Sequence, residues 1–175
     1  MIKIALFVSS LTGNTERIAK ALQKQLIHLG YEVSIQDCCE IRMPLTTADF
    51  YVLCFWTRRG SLDPDSFKLL MQYKNTPFIA IGTCGHYPDS EYGWRIKSYI
   101  KGVIDCSNQC LGVFLSQGAV SLESTRTRRN LPKTRPHYLN DEGYARHLES
   151  QNHPDETDIS NALKFLLQYL PTLPV

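Results

Sequence analysis

The sequence predicts an α/β fold, with five parallel strands in one doubly wound sheet in the order 2-1-3-4-5. Three observations carry this. Residues 2–8, 49–56, 76–83 and 110–116 are mostly apolar runs of strand length, as strands covered on both faces should be. Between them the apolar spacing changes to a helical period. Strands alternating with helices imply βαβ units with right-handed crossovers, and 175 residues suit one domain over residues 1–175 with a proper core.

Each element has its own signal. Residues 2–8 form the first strand. From Thr15, Ile18, Leu22, Leu26 and Leu29 make one helical stripe, with Lys20 and Lys24 opposite, and Gly30 is placed to end that helix. Residues 31–37 alternate and read as an edge strand. Residues 49–56 are aromatic and β-branched, the third strand. A helix over 65–73 puts Phe67, Leu70 and Met71 on one face. Residues 76–83 are the fourth strand. The helix over 91–104 offers Trp94, Ile96, Tyr99, Ile100 and Val103 for packing. Residues 110–116 are the fifth strand. The last helix spans 159–170, stopped by Pro171 and Pro174.

The chemistry starts just after the first strand, at Ser9-Ser10-Leu11-Thr12-Gly13-Asn14-Thr15-Glu16. A strand, a hydroxyl-rich turn and a helix N-terminus together make a phosphate cradle. Ser10, Thr12 and Thr15 offer hydroxyl donors, Gly13 permits close backbone approach, and the helix start offers free N–H groups and its positive dipole end. The turn lacks Gly-Lys-Ser/Thr, so it is no Walker A loop. A Ser/Thr N-cap without a ligand is the simpler alternative, but one cap does not account for Ser9, Ser10, Thr12, Asn14 and Thr15 together. In the order 2-1-3-4-5 the switch point lies between strands 1 and 3, so this turn and the loop at Trp56 should share a crevice.

Two further loops agree. Phe55-Trp56-Thr57-Arg58-Arg59-Gly60 follows the third strand, and residues 82–92, Gly-Thr-Cys-Gly-His-Tyr-Pro-Asp-Ser-Glu-Tyr, follow the fourth. With the first turn, these resemble the loops of flavodoxins that hold flavin mononucleotide (FMN). The resemblance covers most of the chain except about residues 118–152. It implies a flavodoxin-like fold and noncovalent FMN. It also implies a site built from Ser9, Ser10, Thr12, Gly13, Asn14, Thr15, Phe55, Trp56, Thr57, Arg58, Thr83, Cys84, Gly85, His86, Tyr87 and Tyr92. The first ring loop departs from the Ser-Thr-Trp-Gly of small acidic electron carriers. The chain is more similar to a subfamily with a Phe-Trp…Gly loop, a Gly-Thr-x-Gly-x-Tyr-Pro loop and a late His-Pro-Asp-Glu-x-Asp, here His153 to Asp158. Members of that subfamily are flavin reductases or accessory flavoproteins, including ones acting with bilirubin reduction.

In this reading Trp56 or Phe55 lies against the flavin ring, where stacking adds about 0.5–1.5 kcal/mol beyond burial; a core tryptophan is the other reading. The N–H groups of Cys84, Gly85 and His86 face the ring's polar edge, and Tyr87 or Tyr92 stacks outside it. His86 reads more simply as a solvent histidine than as a proton donor. Asp155 and Asp158 read as a capping box rather than a ligand set. No catalytic side chain and no metal site is expected.

Net charge is +2 with dispersed basic residues, which excludes a nucleic-acid signature and contrasts with acidic electron carriers. No apolar stretch approaches the ~20 residues that span a membrane, and no signal peptide is expected before the first strand. Six unpaired-looking cysteines suit a reduced cytoplasmic protein. Residues 118–152 form an irregular basic insertion with Arg126, Arg128, Arg129, Lys133 and Arg135, too long for an ordinary connection. It reads first as a solvated loop, and second as a basic cover over the ring edge, docked by Tyr138 and Tyr144.

Three functions follow: an FMN-dependent oxidoreductase or reductase accessory acting on an organic acceptor, an anionic one included; an electron shuttle between redox partner proteins; or a module that has lost flavin. Asp63, Asp65, Asp89 and Glu91 near the ring loops are what supports the shuttle.

Overall fold

The computed structural model describes residues 1–40 and 45–171; Pro174 lies outside them. Five parallel strands form the sheet: β1 (Lys3–Val8), β2 (Glu32–Asp37), β3 (Phe50–Arg58), β5 (Pro77–Cys84) and β6 (Gln109–Gln117). Their order is β2-β1-β3-β5-β6, and a two-residue strand β4 (Ser61–Leu62) pairs antiparallel with the end of β3. Apart from that short hairpin this is the expected order, with the switch point between β1 and β3.

The apolar runs have the physical cause expected of them. Ile4, Leu6 and Val8 of β1 pack on one face with Ile18, Leu22 and Leu26 of α1 (Asn14–His28) and Ile159 and Leu166 of α6 (Glu156–Leu167). Ala5 and Phe7 pack on the other face with Leu69 and Leu70 of α2 (Pro64–Leu70) and Ile96, Ile100 and Ile104 of α3 (Glu91–Asp105). Successive side chains point to opposite faces, so a strand covered twice is apolar throughout. β2 sits at the edge and is largely exposed. Gly30 adopts φ 93° just past α1, the left-handed conformation that closes helices.

Helix faces differ in detail. Phe67, Met71, Trp94 and Tyr99 are exposed while their smaller aliphatic neighbours pack, because α2 turns Leu69 and Leu70, and α3 its isoleucine row, to the sheet. α6 begins three residues earlier than expected, at a full capping box: Asp155 accepts from the Asp158 N–H and Asp158 accepts from the Asp155 N–H. His153 Nδ1 lies 2.6 Å from Asp158 Oδ2.

The largest correction falls on residues 118–152. In place of an irregular insertion there are two helices, α4 (Leu122–Arg129) and α5 (Asp141–Glu149), capped by Ser121 and Asn140. Arg129 ties them together: it donates to the Leu139 carbonyl, pairs with Asp141 and lies over the Tyr144 ring. Val120 N–H donates to Ser150 Oγ, and Ala119 N–H to the His153 carbonyl, which docks the segment on the sheet edge. Among the described residues no helix is long and apolar enough to cross a membrane.

Candidate functional site

The C-terminal ends of β1, β3, β5 and β6 open onto one crevice. Its inner cavity, about 110 Å³, is lined by Leu11, Thr12 and Asn14 from the first turn, Trp56 and Thr57 from β3, Thr83 to Gly85 from β5, and Gly118 to Val120 after β6. A second cavity of about 310 Å³ shares Thr57, Cys84, Gly85 and Val120 with it and continues to Arg59, His86 and Tyr92, then to Arg128, Arg146 and His147 from α4 and α5.

The first turn keeps its helix start open. Gly13 stands at the N-cap with φ 86° and no side-chain cap bond, and a Cβ built there would meet nothing within 4 Å. The room beside the loop is therefore real, and an L side chain would strain it. Ser10 Oγ accepts from the Glu16 N–H. Asn14 Nδ2 donates to Thr12 Oγ1 and to the Ala119 carbonyl, linking the turn to the segment after β6.

Five expected contact residues sit elsewhere. Ser9 is buried and donates to Asp63 Oδ1 at 2.7 Å. Thr15 lies under the crevice floor, bonded to the Phe55 carbonyl at 3.2 Å and to Thr83 Oγ1 at 2.8 Å. Phe55 is fully buried; its ring packs on Gly82, where a Cβ would come within 2.3 Å of it. Strand alternation explains this: Trp56 faces the crevice, so Phe55 faces the core. Arg58 is exposed, and the next residue, Arg59 with φ 53°, lines the cavity instead. Tyr87 turns outward to donate to Glu149 at 2.6 Å. Tyr92 lines the second cavity against His86, ring centroids 5.0 Å apart.

Asp63 is the concealed support of the site. It is completely buried and caps α2 through the N–H groups of Asp65 and Ser66. It also accepts from Ser66 Oγ, Ser9 Oγ and the Trp56 N–H. One carboxylate thus joins the first turn to the Trp56 loop.

The electrostatics are positive. Among the described residues Arg59, Arg128 and Arg146 have no carboxylate partner, and Arg146 Nε is buried without a hydrogen bond. Burial, and then the Arg146 guanidinium, hold both His86 and His147 below the usual histidine range, with Arg128 adding to the effect on His147. Burial also raises the Cys84 thiol, so it stays protonated. The six cysteines are all free.

Arg128 belongs to the basic run whose second reading is a cover over the ring edge, and it lines the second cavity; Arg146 and His147 have no such signal, because they reach the cavity only through the packing of α4 against α5.

A doubly wound sheet with an open crevice at its switch point defines an α/β nucleotide-binding protein. Its relatives narrow this. A profile of the flavodoxin domain matches residues 5–167, and the chain belongs to that family. It is 28% identical over 168 residues to the flavodoxin-like domain-containing protein BilS of Clostridioides difficile (strain CD3), covering 93% of each. Among solved structures, oxidised flavodoxin 1 from Bacillus cereus superposes with TM-score 0.58 at 15% identity, covering 97% of this chain and 99% of that one. A flavo di-iron protein mutant from Thermotoga maritima gives 0.55 at 12% identity, covering 97% of this chain and 36% of that one.

FMN is the cofactor of this family, and the residues present fit it. The open space beside Gly13, the Thr12 hydroxyl and the exposed start of α1 suit a phosphate. The gap between Trp56-Thr57 and Cys84-Gly85 suits a flat ring.

Proposed function

We propose that the protein is an FMN-dependent reductase, or the flavin-bearing accessory of one, that passes electrons to an anionic organic acceptor. The observation that carries this is the continuity of the cradle with a second cavity walled by Arg59, Arg128 and Arg146. Unpaired guanidiniums at the end of a cofactor crevice concentrate anions there.

In this reading Ser10, Thr12, Gly13 and Asn14 receive the phosphate, and Trp56, Thr57 and Gly85 border the ring. Bound FMN supplies the electron-transfer chemistry. The chain's own residues orient it: Asp63 fixes the Trp56 loop, and Thr15 with Thr83 supports the floor. The loop motifs at 55–60 and 82–88 and His153 to Asp158 support the subfamily of accessory flavoproteins that includes those acting with bilirubin reduction.

The shuttle reading loses its main support. Asp63 is buried, Asp65 pairs with Lys68, Asp89 with Lys97 and Glu91 with Arg95, so these four acids form no uncompensated rim.

The test is FMN titration followed by turnover with NAD(P)H and a panel of quinones and bilins. Yellow holoprotein that reduces anionic members faster than neutral ones supports the proposal. Equal rates at all acceptors, with fast transfer to a protein partner, would favour the shuttle.

A further inference from the structure

Two histidines line the second cavity, and the hydroxyls beside them assign their tautomers. Ser90 Oγ accepts from the Gly93 N–H at 3.1 Å and donates its one proton to the Tyr87 carbonyl at 2.7 Å. His86 Nδ1, 3.1 Å from the same oxygen, is then the donor of that pair. Thr125 repeats the arrangement. Its hydroxyl donates to the Ser121 carbonyl at 3.0 Å, so His147 Nδ1, 3.0 Å away, donates to Thr125. A neutral imidazole with hydrogen on one nitrogen accepts at the other. Both Nε2 atoms therefore carry bare lone pairs, and among the described residues neither has a hydrogen-bond partner.

The same cavity holds Arg128 and Arg146 without carboxylate partners, Arg146 with a buried, unbonded Nε. Buried polar groups are nearly always satisfied. Here unmatched donors and unmatched acceptors stand together. A ligand with both characters satisfies them at once.

We infer that this cavity binds an organic carboxylate that also bears an O–H or N–H donor, the carboxylate taken by Arg128 and Arg146 and the donor by Nε2 of His86 or His147. This rests on the reading that the second cavity receives the acceptor. Arg128, Arg146 and His147 come from α4 and α5, whereas His86, Arg59 and Tyr92 belong to the ring loops, so the ligand sits at the outer end of the crevice, between the cofactor's place and these two helices. The cavity of about 310 Å³ shares Thr57, Cys84, Gly85 and Val120 with the ring crevice, so the acid takes its end walled by Arg128, Arg146 and His147.

The experiment is calorimetric titration of the FMN-loaded full chain with 3-(4-hydroxyphenyl)propionate and with 3-(4-fluorophenyl)propionate. The two are alike in shape and charge, but only the first donates. The hydroxy acid is expected to bind about three- to tenfold tighter. The Arg128→Gln/Arg146→Gln double variant weakens both at least about tenfold, and His86→Leu/His147→Phe removes the preference. In the wild-type chain the preference falls toward one on acidification, as the rings protonate among Arg128, Arg146 and Glu142, the charged groups around them; this arm needs no variant to fold. Equal affinity for the two acids at neutral pH, no heat from either at millimolar concentration, or displacement of FMN by the acids would each overturn the inference. FMN affinity is measured alongside. Retained FMN with no acid bound defeats this inference alone, whereas a wild-type chain that takes no FMN defeats the cofactor reading.

Discussion

Ser9 Oγ donates to Asp63 Oδ1 at 2.7 Å across 54 residues of chain, with both side chains buried. This bond joins the end of β1 to the N-cap of α2, and through the Trp56 N–H the same carboxylate reaches β3. Asp63→Ala leaves five donors without their acceptor. Breaking a buried charged network costs about 3–5 kcal/mol, and FMN affinity should fall more than about tenfold as the Trp56 loop loosens. Urea unfolding and FMN titration of the variant measure the two effects. Ser9→Ala removes one bond to a charged group, about 1.5–3 kcal/mol; a loss under about 0.5 kcal/mol would contradict this view of the network.

Phe55 and Trp56 are neighbours with opposite roles. Phe55→Ala opens a core cavity and should cost about 3–5 kcal/mol of stability, with FMN affinity little changed in the folded fraction. Trp56→Ala should leave stability within about 1 kcal/mol while weakening FMN by roughly tenfold. The reverse pattern would return Phe55 to the ring site.

Arg58 and Arg59 differ in the same way. Arg59 lines the second cavity and Arg58 points to solvent. Replacing Arg59 by Glu puts negative charge near the reduced cofactor and should lower the potential for the second electron by an amount on the order of 1 kcal/mol. Arg58→Glu should move it less, because Arg58 does not line the cavity and its charge acts across more solvent. Potentiometric titration of both variants decides; equal shifts would mean that lining the cavity makes no difference here.

The buried His147 gives a pH dependence of definite sign. Burial first, then Arg146, Arg128 and His86, depress its folded pKa below the usual 6.5. The unfolded chain thus binds more protons in this range, and stability rises with pH there. The contribution is fully present above about pH 6.5 and is lost as pH falls toward the folded pKa. Urea midpoints between neutral and mildly acidic pH should drop in the wild-type chain and drop less in His147→Gln. His86, shifted in the same direction by burial and Arg146, adds to the wild-type slope.

The order of the parallel strands and the meeting of the first turn with the Trp56 loop were legible in the sequence. The reason is that strands covered on both faces must be apolar throughout, helices show their period, and strand order places the switch point. Thr12, Asn14, Trp56 and Gly85 line the crevice, with Gly13 between the first two. Local pattern cannot say which way a side chain faces at a strand end, so Phe55, Ser9 and Thr15 had to wait for the packing that turns each inward. Nor does it reveal helices held by charge. α4 and α5 form because Arg129 bridges to Leu139, Asp141 and Tyr144 and because Ser121 and Asn140 cap them. Their place against the crevice, and with it the Arg128–Arg146–His147 wall, is a product of contacts between residues far apart in the chain, which only the tertiary structure decides.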